Sequence, residues 1–353
     1  MKKAYIPVRG RGAAANPKNR FEACEKQEED DELGAGPTTQ LFNDVSKRII
    51  VKNASPDVRF SAGINPYRGC EHGCVYCYAR PSHEYLGFSA GLDFESKIMV
   101  KENAAVLLRA ELNKASWQPT VIALSGNTDA FQPIERKLQI TRQCLVVLAE
   151  FRNPVVAITK NFLVTRDIDL LAELARYNAV AVVISVTTLN SELARILEPR
   201  ASRPGKRLEA ITLLAQAGIP VGVNLAPIIP GLTDEEIPTI VQAAATAGAR
   251  FAGMQPVRLP YGVKDLFSQW LETHMPDRKN KILNRIRAMR GNKLNDPRFG
   301  VRMRGEGLFA DQIQALFALA CRKNGISGAS PRLSSAHFRR IPAPVCDNQL
   351  SLF

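Results

Sequence analysis

The chain has 353 residues, 45% of them apolar, with 47 Lys and Arg against 34 Asp and Glu. This length suits one large α/β domain with extensions, seven cysteines are too sparse for a disulfide scaffold, and the net charge of +13 predicts a polyanionic partner. The basic start lacks a following apolar run and the uncharged stretch 210–233 holds three prolines, so we expect a cytoplasmic protein without a signal peptide or a membrane span.

The first 45 residues are divided by charge. Residues 1–21 carry six basic residues and no acidic one, and an acidic run follows at 28–32. Apolar periodicity is absent here, which predicts a flexible N-terminal arm over residues 1–45. Two interpretations of this arm stay open: a solvated tail, or a segment that follows nucleic acid.

Short apolar runs alternate with helical periodicities through residues 46–274. The predicted strands lie at about 59–64 and at 121–125, 155–159, 179–186, 221–225 and 251–257; the predicted helices lie at 103–112, 133–151, 167–177 and 206–217, with a capping box at Thr233 and Glu236. Six such alternations indicate a parallel α/β fold, open or closed as a barrel. Ligands are then expected at the carboxyl ends of the strands.

Residues 275–345 concentrate the positive charge. They hold 15 basic and 4 acidic residues, so +11 of the total +13 lies in this segment. We interpret it as a basic, mainly helical extension that binds the phosphate backbone of nucleic acid, with a solvated basic surface as the alternative.

Three cysteines lie close together on a glycine-rich loop after the first predicted strand. Cys70, Cys74 and Cys77 have the spacing C-x3-C-x2-C, which indicates a soft-metal site in a reducing compartment. Structural zinc sites and most electron-transfer 4Fe–4S clusters need four protein ligands, and no fourth cysteine lies nearby. A cluster held by three thiolates leaves one iron open for a substrate or cofactor.

This loop, with Tyr76 before the third cysteine, resembles the radical S-adenosylmethionine (SAM) superfamily. The flanking residues 65–69 and 78–80 resemble its spore photoproduct lyase-like branch, and the resemblance covers residues 57–260. It implies a partial (β/α)6 barrel whose 4Fe–4S cluster is held by Cys70, Cys74 and Cys77. It also implies that the open iron binds SAM and that an electron donor such as flavodoxin or ferredoxin drives cleavage to a 5′-deoxyadenosyl radical.

The resemblance further implies SAM contacts at the strand ends. Small polar and cationic residues end the apolar strands there, and ordinary strand-end polarity is the alternative. A buried Lys160 would need a partner, which favours a role for it. The candidates are Tyr76, Ser125, Gly126, Asn127, Lys160 and Ser185.

One position departs from the branch. Spore photoproduct lyase has a cysteine beside the serine at the end of the second strand, where it donates hydrogen to the product radical. Here the stretch reads Ala123-Leu124-Ser125, without a cysteine. The resemblance therefore implies radical chemistry but not photoproduct reversal, and the catalytic residues stay unassigned.

The last residues, 346–353, form a predicted tail that ends in Gln-Leu-Ser-Leu-Phe. This peptide resembles the one by which bacterial repair proteins and polymerases bind the sliding clamp, with Gln349 as the polar anchor and Leu352 and Phe353 as the apolar residues. It favours a radical SAM enzyme that repairs a lesion or modifies a base in DNA. Two alternatives remain: a radical SAM enzyme acting on RNA, and a non-catalytic iron–sulfur protein that binds nucleic acid.

Overall fold

The computed structural model describes residues 7–21, 37–58 and 60–341. The strands are β1 (Gln40–Asn43), β2 (Ile50–Lys52), β3 (Ala62–Ile64), β4 (Tyr67–Arg68), β5 (Lys97–Val100), β6 (Ile122–Leu124), β7 (Val155–Thr159), β8 (Val180–Ser185), β9 (Val221–Ile228) and β10 (Phe251–Pro256). The α-helices are α1 (Leu92–Ser96), α2 (Ala104–Asn113), α3 (Glu135–Leu138), α4 (Ile140–Phe151), α5 (Ile168–Ala175), α6 (Ser191–Leu197), α7 (Pro204–Gln216), α8 (Ile237–Thr246), α9 (Val263–His274), α10 (Pro276–Ala288), α11 (Val301–Arg304) and α12 (Leu308–Lys323). Short 3-10 helices occupy Arg80–Leu86, Phe162–Asp167 and Asp234–Glu236.

A parallel sheet organises the fold. Among the described residues its strand order is β10-β9-β8-β7-β6-β3-β2, in which only β2 runs antiparallel to its neighbour. The strands from β3 to β10 alternate with helices, and the edges β2 and β10 do not pair with each other in the described part of the chain. The predicted fold class is confirmed: a partial (β/α)6 barrel in which a smaller sheet, β1-β5-β4, packs beside the main one.

Most predicted elements agree with the structure because their residues are buried on both faces. Strand β7 has the predicted bounds, and the others differ at their ends. The predicted helix 133–151 is divided into α3 and α4 at Gln139, which has a φ of 55°. Gly218, predicted to end a helix, has a φ of 74° and does so after α7.

The predicted capping box at the start of α8 is wrong. The Thr233 hydroxyl accepts a hydrogen bond from the backbone N–H of Ile229 at 2.9 Å. The carboxylate of Glu236 accepts from the N–H of Leu189 at 2.7 Å, so it joins α8 to the loop after β8. Both side chains bond outside their own helix, which a local pattern cannot reveal.

The basic extension packs onto the barrel. Helix α12 contacts α8 and joins the main core through Ile313 and Ala320. Helices α9 and α10 form a second apolar cluster with the cysteine loop, in which Trp270 and Ile286 lie near Val75. None of the helices in the described part of the chain has the length and hydropathy that a membrane crossing requires.

The prediction of a flexible N-terminal arm is wrong for residues 7–21. The backbone N–H groups of Gly12 and Ala13 donate to the buried carboxylate of Glu95 at 3.0 and 2.8 Å. Gly12 lies so close to the cysteine loop that a Cβ there would be 1.7 Å from the carbonyl oxygen of Gly73. Strand β1 likewise pairs with β5. The acidic run at 28–32 lies outside the described residues.

Residues 327–341, here called the strap, cross the amino-terminal edge of the main sheet. Ser327 bonds with the start of β10, and the N–H of Ser334 donates to the carbonyl of Asn178, which precedes β8. Arg340 donates to the carbonyl of Trp117, before β6, at 3.1 Å, and Phe338 packs on Phe151. Part of the predicted basic segment therefore lies at the edge of the sheet opposite the cysteine loop.

Candidate functional site

The cysteine loop lies at the carboxyl ends of the parallel strands. Cys70 and Cys74 are buried and Cys77 is partly exposed. Cys77 packs against two apolar groups, one containing Cys70 with Phe94 and the other containing Cys74. The three thiols therefore share one partly enclosed region of the loop.

Burial raises the pKa of the Cys70, Cys74 and Cys77 thiols, and the neighbouring thiols add to the increase for Cys70 and Cys74. They are accordingly neutral until a cation compensates for the lost hydration of the thiolates. Within the described ranges, no three His, Cys, Asp or Glu side chains are already drawn together as metal ligands. The assignment of these cysteines as ligands stays a prediction.

Arg80 stabilises the backbone of the cysteine loop through hydrogen bonds and an ion pair. Its buried guanidinium donates to the carbonyl oxygens of Cys74 at 3.0 Å and Gly91 at 2.9 Å, and it pairs with the buried Glu95. The same carboxylate accepts from the N-terminal segment, so one ion pair connects that segment, α1 and the cysteine loop.

Lys160 lies beside Tyr76 of the cysteine loop, and the assignment of both residues to SAM stays a prediction. The Lys160 ammonium donates to the carbonyl of Ala226 at 2.9 Å and lies 5.9 Å from the Tyr76 ring centroid. It is also 3.9 Å from the Glu198 carboxylate, which accepts hydrogen bonds from the Tyr76 hydroxyl and from Arg207. Burial lowers the pKa of Lys160 and raises that of Glu198.

The end of β6 meets the residues that flank the loop. Gly126 and Asn127 are exposed, and their N–H groups donate to the Asn65 side-chain oxygen at 3.0 and 3.1 Å. The Tyr78 hydroxyl donates to the Gly126 carbonyl at 2.6 Å. Ser125 has a φ of 83°, and its hydroxyl accepts from a later N–H of the same turn.

Ser185 ends β8, the strand that pairs with β7. Ser185 is buried, and its backbone carbonyl accepts a hydrogen bond from the Arg207 guanidinium at 3.1 Å. The structure thus brings all six predicted SAM contacts to one edge of the sheet, although Ser125 and Tyr76 already have partners within the protein.

A family model described as the Radical SAM superfamily matches residues 64–244, just over half of the chain, and this range contains the cysteine loop and strands β6 to β9. The chain belongs to the radical SAM superfamily. Members of this superfamily use a 4Fe–4S cluster and SAM.

Two relatives of this radical SAM chain are described as uncharacterized proteins. One from Mycobacterium bovis is 37% identical over 220 residues, which is 62% of this chain and 65% of the relative. One from Methanocaldococcus jannaschii is 31% identical over 173 residues, 49% of this chain and 62% of the relative. The chain spans less than two thirds of the length of either relative.

Solved structures of spore photoproduct lyase share the fold. The lyase in complex with dinucleoside spore photoproduct has a TM-score of 0.61 and 16% identity, covering 82% of this chain and 81% of the lyase. A mutant with bound AdoMet and dinucleoside spore photoproduct has a TM-score of 0.60 and 16% identity, covering 82% and 80%. At this identity the likeness concerns the fold.

The donor set agrees with the cofactors of the radical SAM superfamily. Thiols are the ligands that iron–sulfur clusters take, and the loop supplies three of them in a buried region. The other cysteines in the described ranges, Cys144 and Cys321, belong to the main core instead.

His72 and Asp129 also lie beside the cysteine loop, although neither is among the six candidate SAM contacts. His72 is buried between two loop cysteines, 3.4 Å from the Asp129 carboxylate, and burial lowers the pKa of His72 to about 4. Asp129 also accepts from Thr159 and from the N–H of Lys160 at 2.7 and 2.8 Å. Asp129 therefore connects the ends of β6 and β7 to the cysteine loop. In the sequence, only its position after a predicted strand indicates this role.

Proposed function

We propose that this chain is a radical SAM enzyme that binds its cluster through Cys70, Cys74 and Cys77 and acts on DNA. The observation that carries the proposal is the buried three-thiol loop at the carboxyl edge of a superfamily barrel, with Lys160 and exposed strand-end backbone beside it. When bound, the cluster and SAM would supply hydrogen-abstraction chemistry through a 5′-deoxyadenosyl radical, with one electron from an external donor.

The protein's own residues bind and orient SAM in this proposal. Lys160 offers a cation to the SAM carboxylate, held in place by Ala226 and by the nearby Glu198. The exposed backbone of Gly126 and Asn127 would take the methionine amino group, and Ser185 would be a further contact at the end of β8. Burial of the loop excludes water from the reacting atoms.

Anaerobic reconstitution tests the proposal. We expect the full chain, supplied with iron, sulfide and a reductant, to acquire a 4Fe–4S spectrum and to convert SAM to 5′-deoxyadenosine. Tetrahedral zinc in the purified protein, or a cluster that does not respond to SAM, would favour the non-catalytic nucleic-acid-binding alternative.

Charge and exposed rings support a nucleic-acid substrate, and the clamp-like peptide favours DNA over RNA. In addition to the basic extension, the N-terminal segment supplies a cation beside exposed rings. The Arg20 guanidinium carbon lies 3.7 Å from the Tyr261 ring centroid, next to the exposed Phe21 and Tyr85. Rings beside guanidiniums bind unpaired bases, and the lyase of the same fold was solved with a dinucleoside lesion. The missing cysteine at the end of β6 argues against reversal of that lesion.

The clamp-like peptide at 349–353 lies outside the described residues and stays a prediction. Its test is binding of the full chain to a bacterial sliding clamp, compared with a chain lacking those five residues. Binding that disappears on truncation would support DNA, and damaged oligonucleotides would then be screened for 5′-deoxyadenosine release. Without binding by the full chain, RNA becomes the first substrate to test.

A further inference from the structure

Arg258 is a half-buried cation to which no residue in the described part of the chain offers an acceptor. It follows β10 at the carboxyl edge of the sheet, and its guanidinium carbon lies 4.6 Å from the Tyr78 ring centroid. Among the described residues it donates no hydrogen bond and forms no ion pair, and its Nε atom is buried without a partner. A desolvated guanidinium is costly unless an acceptor compensates, so this position indicates a ligand with oxygen acceptors.

The carboxylate that acts electrostatically on Arg258 is already paired. It is Asp57, which binds Arg302 and accepts from the N–H of Gly300 at 2.6 Å. The guanidiniums of Arg302 and Arg290 add positive charge around Arg258. The surroundings of Arg258 are therefore positive overall, which selects an anion.

Two exposed rings lie beside guanidiniums of this region, Tyr78 beside Arg258 and Phe299 beside Arg302. Tyr78 is 45% exposed and Phe299 is 58% exposed. The Arg302 guanidinium lies 4.4 Å from the Phe299 ring centroid. Ring faces next to guanidiniums suit nucleic-acid bases that are not paired, because stacking needs an open base face.

We propose that Arg258 binds a backbone phosphate of an unpaired nucleic-acid strand whose neighbouring bases stack on Tyr78 and Phe299 at the mouth of the barrel. The planar guanidinium fork suits two phosphate oxygens. Since Tyr78 also bonds to the end of β6, a strand held here passes directly beside the proposed SAM site. This inference rests on the proposed function and names its substrate contact.

Fluorescence anisotropy with the reconstituted full chain and a labelled single-stranded DNA of mixed sequence tests the inference. Arg258→Gln should weaken binding about tenfold and reduce the slope of log affinity against log salt by about 0.7, the value for one phosphate contact on a single strand. Arg258→Lys should recover part of the affinity because it keeps the charge. Lys114→Gln is the matched control, since Lys114 is exposed at the end of α2, near the strap.

Three results would overturn the inference. They are equal affinities of Arg258→Gln and Lys114→Gln, equal binding of duplex and single strand by the unmodified chain, and loss of SAM binding in Arg258→Gln with strand affinity retained. The last result would assign Arg258 to SAM. Failure of the unmodified chain to cleave SAM would instead reject the proposed function, so the two failures are distinguishable.

Discussion

At the residue scale, Glu198 is the buried carboxylate on which the neighbourhood of Lys160 depends. Its oxygens accept from Tyr76, Thr187 and Arg207, so three segments meet on one side chain. Both Glu198 and Arg207 are almost completely inaccessible to solvent. A buried ion pair of this kind is costly to break because the remaining charge stays desolvated.

Replacing Arg207 with Met should therefore lower the free energy of unfolding by about 3–5 kcal/mol. Chemical denaturation measures this loss. Arg203→Met is the matched control, because Arg203 is exposed at the start of the same helix and its replacement should change little. Equal losses in the two variants would contradict the role given to Glu198.

Cys74→Ala should abolish iron binding and SAM cleavage, since two thiols cannot hold the cluster. Iron analysis and 5′-deoxyadenosine release after reconstitution are the measurements. Cys144→Ala removes an equally buried thiol from the main core, so it should cost about 1 kcal/mol of stability and keep the iron. SAM cleavage by Cys74→Ala would rule out the proposed site.

Asp296 predicts a specific dependence of stability on pH. Hydrogen bonds from Arg298 lower its pKa from 3.8 to about 2. Because the folded state holds the charged form, this contribution is complete above pH 3.8 and disappears as the pH falls to about 2. The difference in melting temperature between the unmodified chain and Asp296→Asn should narrow across that window, and Arg298→Gln should reproduce the pattern. A constant difference would contradict this origin.

The sequence predicts the site only where its chemistry is local. The cysteine spacing and the strand-end residues lie in short stretches, so the sequence alone is enough to propose them. Glu198, Arg207 and Asn65 cannot be proposed in this way, because each acts on a segment that the fold brings near from elsewhere in the chain. Arg258 was missed for the same reason: its lack of an acceptor is visible only in three dimensions.

At the scale of elements, the N-terminal segment 7–21 packs against the cysteine loop. Gly12 lies against Gly73, and an added methyl group at Gly12 has no room. Gly12→Ala should detach the segment, so that trypsin cleaves after Arg11 and Arg20 at least several-fold faster while the barrel core stays protected. Limited proteolysis measures this.

The control for that experiment is Gly205→Ala, because a Cβ at Gly205 meets no atom within 4 Å. It should leave the cleavage pattern unchanged. Equal rates for Gly12→Ala and the unmodified chain would show that the contact with Gly73 does not retain the segment.

Strands were easier to predict than helix starts. Runs such as that of β7 are apolar on both faces because helices cover the sheet, and this pattern is complete within a few residues. The start of α8 depends instead on a bond from Glu236 to another loop, and the arm at 7–21 is ordered by a carboxylate in α1. Polar composition alone therefore misjudged both.

At the scale of the whole molecule, the positive charge of residues 275–345 is divided between two edges of the sheet. Arg302, which packs on Phe299, lies near the carboxyl end of β10, because Arg290 donates to the carbonyls of both Arg302 and Val257. Phe338 and Arg340 belong to the strap at the opposite edge. A net charge counted along the sequence cannot show this division.

Two matched substitutions test whether the two edges of the sheet have different roles in stability and in nucleic-acid binding. Phe338→Ser should lower stability by about 1–2 kcal/mol, because it removes packing against Phe151, and should keep strand binding. Phe299→Ser, at a side chain that is 58% exposed, should do the reverse. Thermal melting and anisotropy measure the two effects, and loss of strand binding in both variants would contradict the division.

The strap also has a consequence for the order in which the chain folds as it leaves the ribosome. The backbone groups before β6, β8 and β10 gain their partners from residues 327–341. The sheet itself is complete in the nascent chain much earlier, at Pro256. During synthesis the amino-terminal edge of the main sheet therefore lacks its strap while α9 to α12 are made. In this interval, binding of chaperones or aggregation at that edge would compete with docking of the strap.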